Sequence, residues 1–72
     1  MTFGERLRQA RTKLGIKQKD FAEALGVGYN DICRYEKNVS TPKQEFLINL
    51  WKRYKININW LLTGSNGVDE NE

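Results

Sequence analysis

Apolar residues along this chain recur with a helical period, in blocks set apart by glycines and polar stretches. Phe3, Leu7, Ala10 and Leu14 follow at intervals of four, three and four residues. That is one face of a 3.6-residue turn, and it predicts a first helix from Thr2 to Leu14. Thr2 and Glu5 have the T-x-x-E form of a capping box. Gly15 supplies a stop, because glycine takes the left-handed cap conformation without a side-chain penalty. Phe21, Ala22 and Leu25 give an apolar face to a second helix from Gln18 to Leu25, ended by Gly26. A third helix follows almost at once, from Gly28 or Tyr29 to about Lys37. Ile32, Tyr35 and Glu36 share one of its faces; Tyr29, Asn30, Cys33, Arg34 and Lys37 share the other. Asp31 sits near its start, where an acid is favoured by the helix dipole.

Asn38-Val39-Ser40-Thr41-Pro42 reads as a loop, with Pro42 at or before the first turn of a fourth helix. That helix runs to about Tyr54 and is expected to bury Phe46, Leu47, Leu50, Trp51 and Tyr54. A short fifth helix spans about Ile58 to Thr63, capped by Asn57 and ended by Gly64. Residues 65–72, SNGVDENE, carry no core-forming pattern and read as a loose acidic tail or the start of a linker. The fold class is therefore all-α, a compact five-helix bundle over residues 1–64. Its second and third helices are too short to stand alone in water and must dock on the first and fourth. Two short helices joined by a three- or four-residue turn around a glycine make a helix-turn-helix. Docking leaves one face of the third helix outward and rigidly held, at a width that fits the major groove of duplex DNA.

Composition narrows the chemistry. At 72 residues the chain makes one small domain, with little room for a deep substrate cleft. It has no His and one Cys, Cys33, which excludes a Cys/His zinc site, an internal disulfide and any His-dependent triad. There is no metal-ligand cluster, phosphate-cradling glycine loop or carboxylate cleft, so no catalytic function, cofactor or small-molecule ligand is expected. The unpaired Cys and the lack of a signal peptide point to a reducing, intracellular setting, the cytoplasm. No apolar run is long enough to span a membrane. All 12 Lys and Arg lie within residues 1–64, whereas Asp69, Glu70 and Glu72 lie in the last eight. Residues 1–64 thus carry +6 and residues 65–72 carry −3, and a basic body favours a polyanionic partner.

The stretch KQKDFAEALGVGYNDICRYEKN, with LRQARTKLGI before it and INWLLTG after it, resembles the DNA-binding domain of phage lambda-repressor and Cro-type regulators. These are the xenobiotic-response-element-like transcriptional regulators. The likeness covers residues 3–64. It rests on Gln18 opening the second helix, Phe21-Ala22 within it, Gly26-Val27 in the turn, Ile32 and Glu36 in the third helix, and Pro42 in the next loop.

The resemblance implies sequence-specific binding of duplex DNA by a transcriptional regulator, a phage- or prophage-type repressor first among these. It implies a homodimer on a palindromic operator. Tyr29, Asn30, Cys33 and Arg34 match base-reading positions, where Arg can bond guanine and Asn can bond adenine bidentately. Gln18, Lys17, Gly28, Lys37, Asn38 and Lys43 match positions near the phosphate backbone. Arg11 and Glu36 match a structural salt bridge between the first and third helices. Trp60, Leu61 and Leu62 in the last helix are candidates for the dimer contact.

Some positions depart from the pattern. Lys17 and Gly28 stand where Ser or Thr usually cap, Cys33 is unusual on an outward face, and Lys37-Asn38 replaces the common ending of the third helix. Trp51, Trp60 and Tyr54 read as core rather than as stacking platforms for bases. Arg6, Arg8, Lys13, Lys52, Arg53 and Lys55 read as mostly solvated helix faces. The alternative to a repressor is an antitoxin or other protein-interaction module that binds DNA secondarily.

Overall fold

Local chemistry places the helix ends close to where the residue pattern puts them. The computed structural model describes residues 1–65, so the expected acidic tail lies, Ser65 apart, outside the described residues. Five helices follow one another among them: α1 (Phe3–Lys13), α2 (Gln18–Leu25), α3 (Tyr29–Glu36), α4 (Gln44–Tyr54) and α5 (Ile58–Thr63). No strand occurs among the described residues. Thr2 Oγ1 accepts from the Glu5 amide at 3.2 Å, and Glu5 Oε1 accepts from the Thr2 amide at 2.8 Å, which closes the capping box of α1. Asn57 Oδ1 accepts from the Trp60 amide at 3.0 Å and opens α5. Lys17 gives α2 no side-chain cap. Gly26, at φ +71°, ends α2 in the left-handed conformation that the tight turn into α3 requires.

The core takes at least one side chain from every helix. Leu7 of α1, Phe21 of α2, Ile32 of α3, Leu50 of α4 and Leu61 of α5 are wholly buried, and Ala22, Leu25, Phe46 and Ile56 complete the cluster. Burying a side chain of this kind contributes roughly 1.5–3 kcal/mol, which offsets the ordering of helices too short to persist alone. α3 packs against α1 and α2, α5 against α1 and α4, and α2 against α4. The Phe21 and Tyr54 rings lie 5.5 Å apart, and Tyr35 meets Phe46 edge-on at 5.0 Å.

Three expectations are corrected by the packing. Trp51 is not core: it is 52% exposed, because Leu50 already faces inward and the next residue is turned about 100° away. The Lys55 ammonium instead lies 4.3 Å from the centroid of its ring. Leu61 is not at the surface for a dimer contact: it has no exposed area, and it closes the core between α1 and α4. Arg6 is not solvated. It is buried where α1 crosses the end of α5, with Nε donating to the Leu61 carbonyl at 2.7 Å, Nη2 to the Leu62 carbonyl at 3.2 Å and Nη1 to the Met1 carbonyl. A helix leaves its last carbonyls without intrahelical donors, and a guanidinium has enough N–H groups to satisfy several at once.

Candidate nucleic-acid interface

Helix α3 is held from behind by a polar seam with α1. Gly4 is buried there, so close to the end of α3 that a Cβ on it would lie 2.4 Å from the Glu36 carbonyl oxygen and 2.7 Å from that of Tyr35. Only hydrogen fits at that crossing. Two turns further along α1, Arg11 reaches the same helix: its Nε donates to Glu36 Oε2 at 2.7 Å and its Nη2 to Glu36 Oε1 at 3.2 Å. Arg11 Nη1 also donates to the Ile16 carbonyl at 2.8 Å, which ties in the loop before α2. Both side chains of the ion pair are at least nine-tenths buried. A bidentate arginine fork on a buried carboxylate fixes direction as well as distance.

Gln18, the first residue of α2, joins this seam to the outer surface. Its Nε2 donates to Glu36 Oε1 at 3.0 Å, and its Oε1 accepts from the Cys33 thiol at 3.7 Å. Cys33 is therefore half-buried against Gln18, not the free outward residue expected from its position. The neighbouring Cys33 thiol is the main reason that the Tyr29 phenol is held above its ordinary pKa of 10.0. Asn38 is likewise engaged within the fold. It takes φ +64° after α3, accepts from the Gly4 amide at 2.9 Å and donates to Thr2 Oγ1 at 2.8 Å. Its carboxamide ties the end of α3 to the start of α1.

Outward of this seam stand Tyr29, Asn30, Arg34 and Lys37 of α3 and its C-cap, all exposed. Asp31 sits among them: its Oδ2 accepts from the Gly28 amide at 3.1 Å, and its Oδ1 accepts from Arg34 Nη2 at 2.6 Å. The Gly28 amide, a candidate phosphate donor, is thus occupied by Asp31. Burial raises the Tyr35 pKa, the Asp31 charge raises it further, and the Arg34 charge opposes both. Lys17 and Lys43, the N-cap residues of α2 and α4, are exposed. A polar hollow of about 220 Å³ brings Arg8 and Lys37 together over Arg11, Gln18, Cys33 and Glu36. Arg8 had no place among the site residues read from the chain. Its signal was available in its spacing, one turn before Arg11 on α1.

The outer side of α3 is thus an exposed face with basic and aromatic residues, braced from behind by a buried ion pair. Comparison with known proteins agrees with that architecture. The family model described as a helix-turn-helix domain matches residues 4–67. The chain belongs to the helix-turn-helix domain family. This helix-turn-helix chain is 35% identical over 72 residues to the HTH-type transcriptional regulator ImmR of Bacillus subtilis, covering all of this chain and 57% of that one. It is 33% identical over 69 residues to the cryptic phage CTXphi transcriptional repressor RstR of Vibrio cholerae, covering 94% of this chain and 62% of that one. The chain therefore spans less than two thirds of the length of these relatives. Among solved structures, the P22 c2 repressor in complex with a synthetic operator superposes with a TM-score of 0.82 at 32% identity, over 90% of this chain and 98% of that one. The helix-turn-helix domain has the lambda-repressor-like fold that its residues resemble. No helix among the described residues is long and apolar enough to cross a membrane.

Proposed function

We propose that this domain binds duplex DNA sequence-specifically with α3 in the major groove, and that it serves as a transcriptional repressor of the phage or prophage type. The observation that carries this is the division of α3: Glu36 and Ile32 lock its inner side, while Tyr29, Asn30 and Arg34 are exposed on its other side. The P22 c2 repressor, of the same fold, is in complex with an operator in its own structure, which supports the same docking here. Arg34 then donates to guanine O6 and N7, Asn30 pairs with adenine, and Tyr29 meets a thymine methyl or a phosphate. Lys17, Gln18, Arg8, Lys37 and Lys43 sit along the phosphate backbone and set register, with the start of α2 contributing its free amides. Such a function places the protein in the cytoplasm, where the DNA is.

A single domain of this size makes few base contacts, so a homodimer on a palindromic operator, with half-site centres roughly 34 Å apart, completes the reading. Leu61 being internal, Leu62 and Trp60 are the residues of α5 left for that contact; Leu62 is exposed and Trp60 half-buried. The test is selection of bound duplexes from a random library at one near-physiological salt concentration. Enrichment of a palindrome with half-sites about one turn apart is the expected result. Binding that depends on salt alone, with no enriched sequence, would overturn it.

A further inference from the structure

Asp31 stands where the structural and outward parts of α3 meet, and its two carboxylate oxygens do different things. Oδ2, accepting from the Gly28 amide at 3.1 Å, fixes the carboxylate to the start of the helix. Oδ1, accepting from Arg34 Nη2 at 2.6 Å, then fixes the guanidinium one turn further on. The Arg34 and Asp31 side chains are 48% and 38% exposed, so the pair does not compensate for burial. Exposed pairs at this spacing add little to stability. The arrangement acts instead on Arg34. A free arginine explores many rotamers and loses them on docking, whereas one held by a fixed carboxylate has lost them already. Among the described residues one of its five N–H donors is engaged, which leaves four for a ligand. The carboxylate also cancels much of the guanidinium's charge, which weakens its pull toward phosphates. Planar bidentate bonding to a base edge depends on geometry and survives that loss.

We propose that Asp31 is a positioning residue for base reading: anchored on the Gly28 amide, it holds the Arg34 guanidinium in one orientation and directs it to a guanine edge rather than to the backbone. This rests on α3 being the duplex-reading helix.

The test runs the same library selection on four proteins: the parent, Asp31→Asn, Arg34→Ala and the double variant. Asparagine keeps an acceptor for the Gly28 amide, so Asp31→Asn should melt within about 2 °C of the parent. Its preference for the base pair that Arg34→Ala flattens should fall about three- to tenfold. Its affinity for unrelated duplex should stay level or rise, because an acid facing phosphates has gone. In the Arg34→Ala background the same change should leave base preference untouched. Intact preference in Asp31→Asn, or an equal shift in both backgrounds, would overturn the proposal. A parent that selects no sequence would overturn the duplex-reading assignment and the inference with it, and that failure differs visibly from the other.

Discussion

The two faces of α3 obey opposite rules. The inner face is a closed account of fixed contacts: Ile32 fills the core, Glu36 receives Arg11 and Gln18, and the carbonyls of Tyr35 and Glu36 accept the close approach of Gly4. The outer face carries side chains whose contacts are few and exchangeable, with Tyr29 half-exposed and Arg34 paired to a solvent-facing acid. A buried polar network tolerates no missing member, because each orphaned group bears its full desolvation cost. An exposed one tolerates many, because water replaces what is lost. The domain therefore separates stability from recognition across the width of one eight-residue helix.

The sharpest way to break that separation is Glu36→Ala. It leaves the Arg11 guanidinium buried without its carboxylate and removes the acceptor that orients Gln18. A loss of about 3–5 kcal/mol is expected, enough to unfold much of so small a domain, and thermal denaturation followed by circular dichroism measures it. Gly4→Ala comes next. The added methyl meets backbone rather than a flexible side chain, so α1 must move from α3 at a cost of about 2–3 kcal/mol. The melting temperature should drop by roughly 8–20 °C. A variant that melts like the parent would show that α1 and α3 can part freely.

Arg34→Ala tests the outer face. It should lower affinity for the selected site by about 1–3 kcal/mol and relax preference at one base pair. The melting temperature should move by less than about 3 °C, since only an exposed pair is lost. Smallest is the effect of pH on the cap of α1. The backbone hydrogen bond at Thr2, foremost, holds the Glu5 carboxyl below its ordinary pKa of 4.5. A depressed folded-state value means that Glu5 contributes its stability above pH 4.5 and loses it as pH falls through the folded value. Glu5→Gln should therefore melt below the parent at neutral pH, and the gap should close in acid.

The corrections follow one physical pattern. Helix positions were legible because caps and periods act over four residues, and the capping box, the glycine turn and the apolar stripes all lie within that range. Arg11 and Glu36 were legible as a pair through the family pattern. Arg6 was not, because the α5 carbonyls that it serves lie 55 and 56 residues away. The contact of Asn38 with Gly4 escaped notice for the same reason: it spans 34 residues. Trp51 and Leu61 changed places because an apolar residue declares only that it can be buried. Which of two neighbours faces inward depends on the helix rotation, and the rotation is set by what α4 and α5 pack against.

What the chain determined by itself is therefore local and periodic: five helices, their caps, a glycine turn between two short ones, and a basic surface with one outward helix face. Those follow from hydrogen bonds and side-chain spacing within a few turns. The tertiary structure alone decided how that face is braced. It placed a glycine against a carbonyl, wrapped a buried arginine around the end of α5, and routed Glu36 through Gln18 to Cys33. These contacts join residues distant in the chain, and they exist only where packing the core has already set the distances between helices.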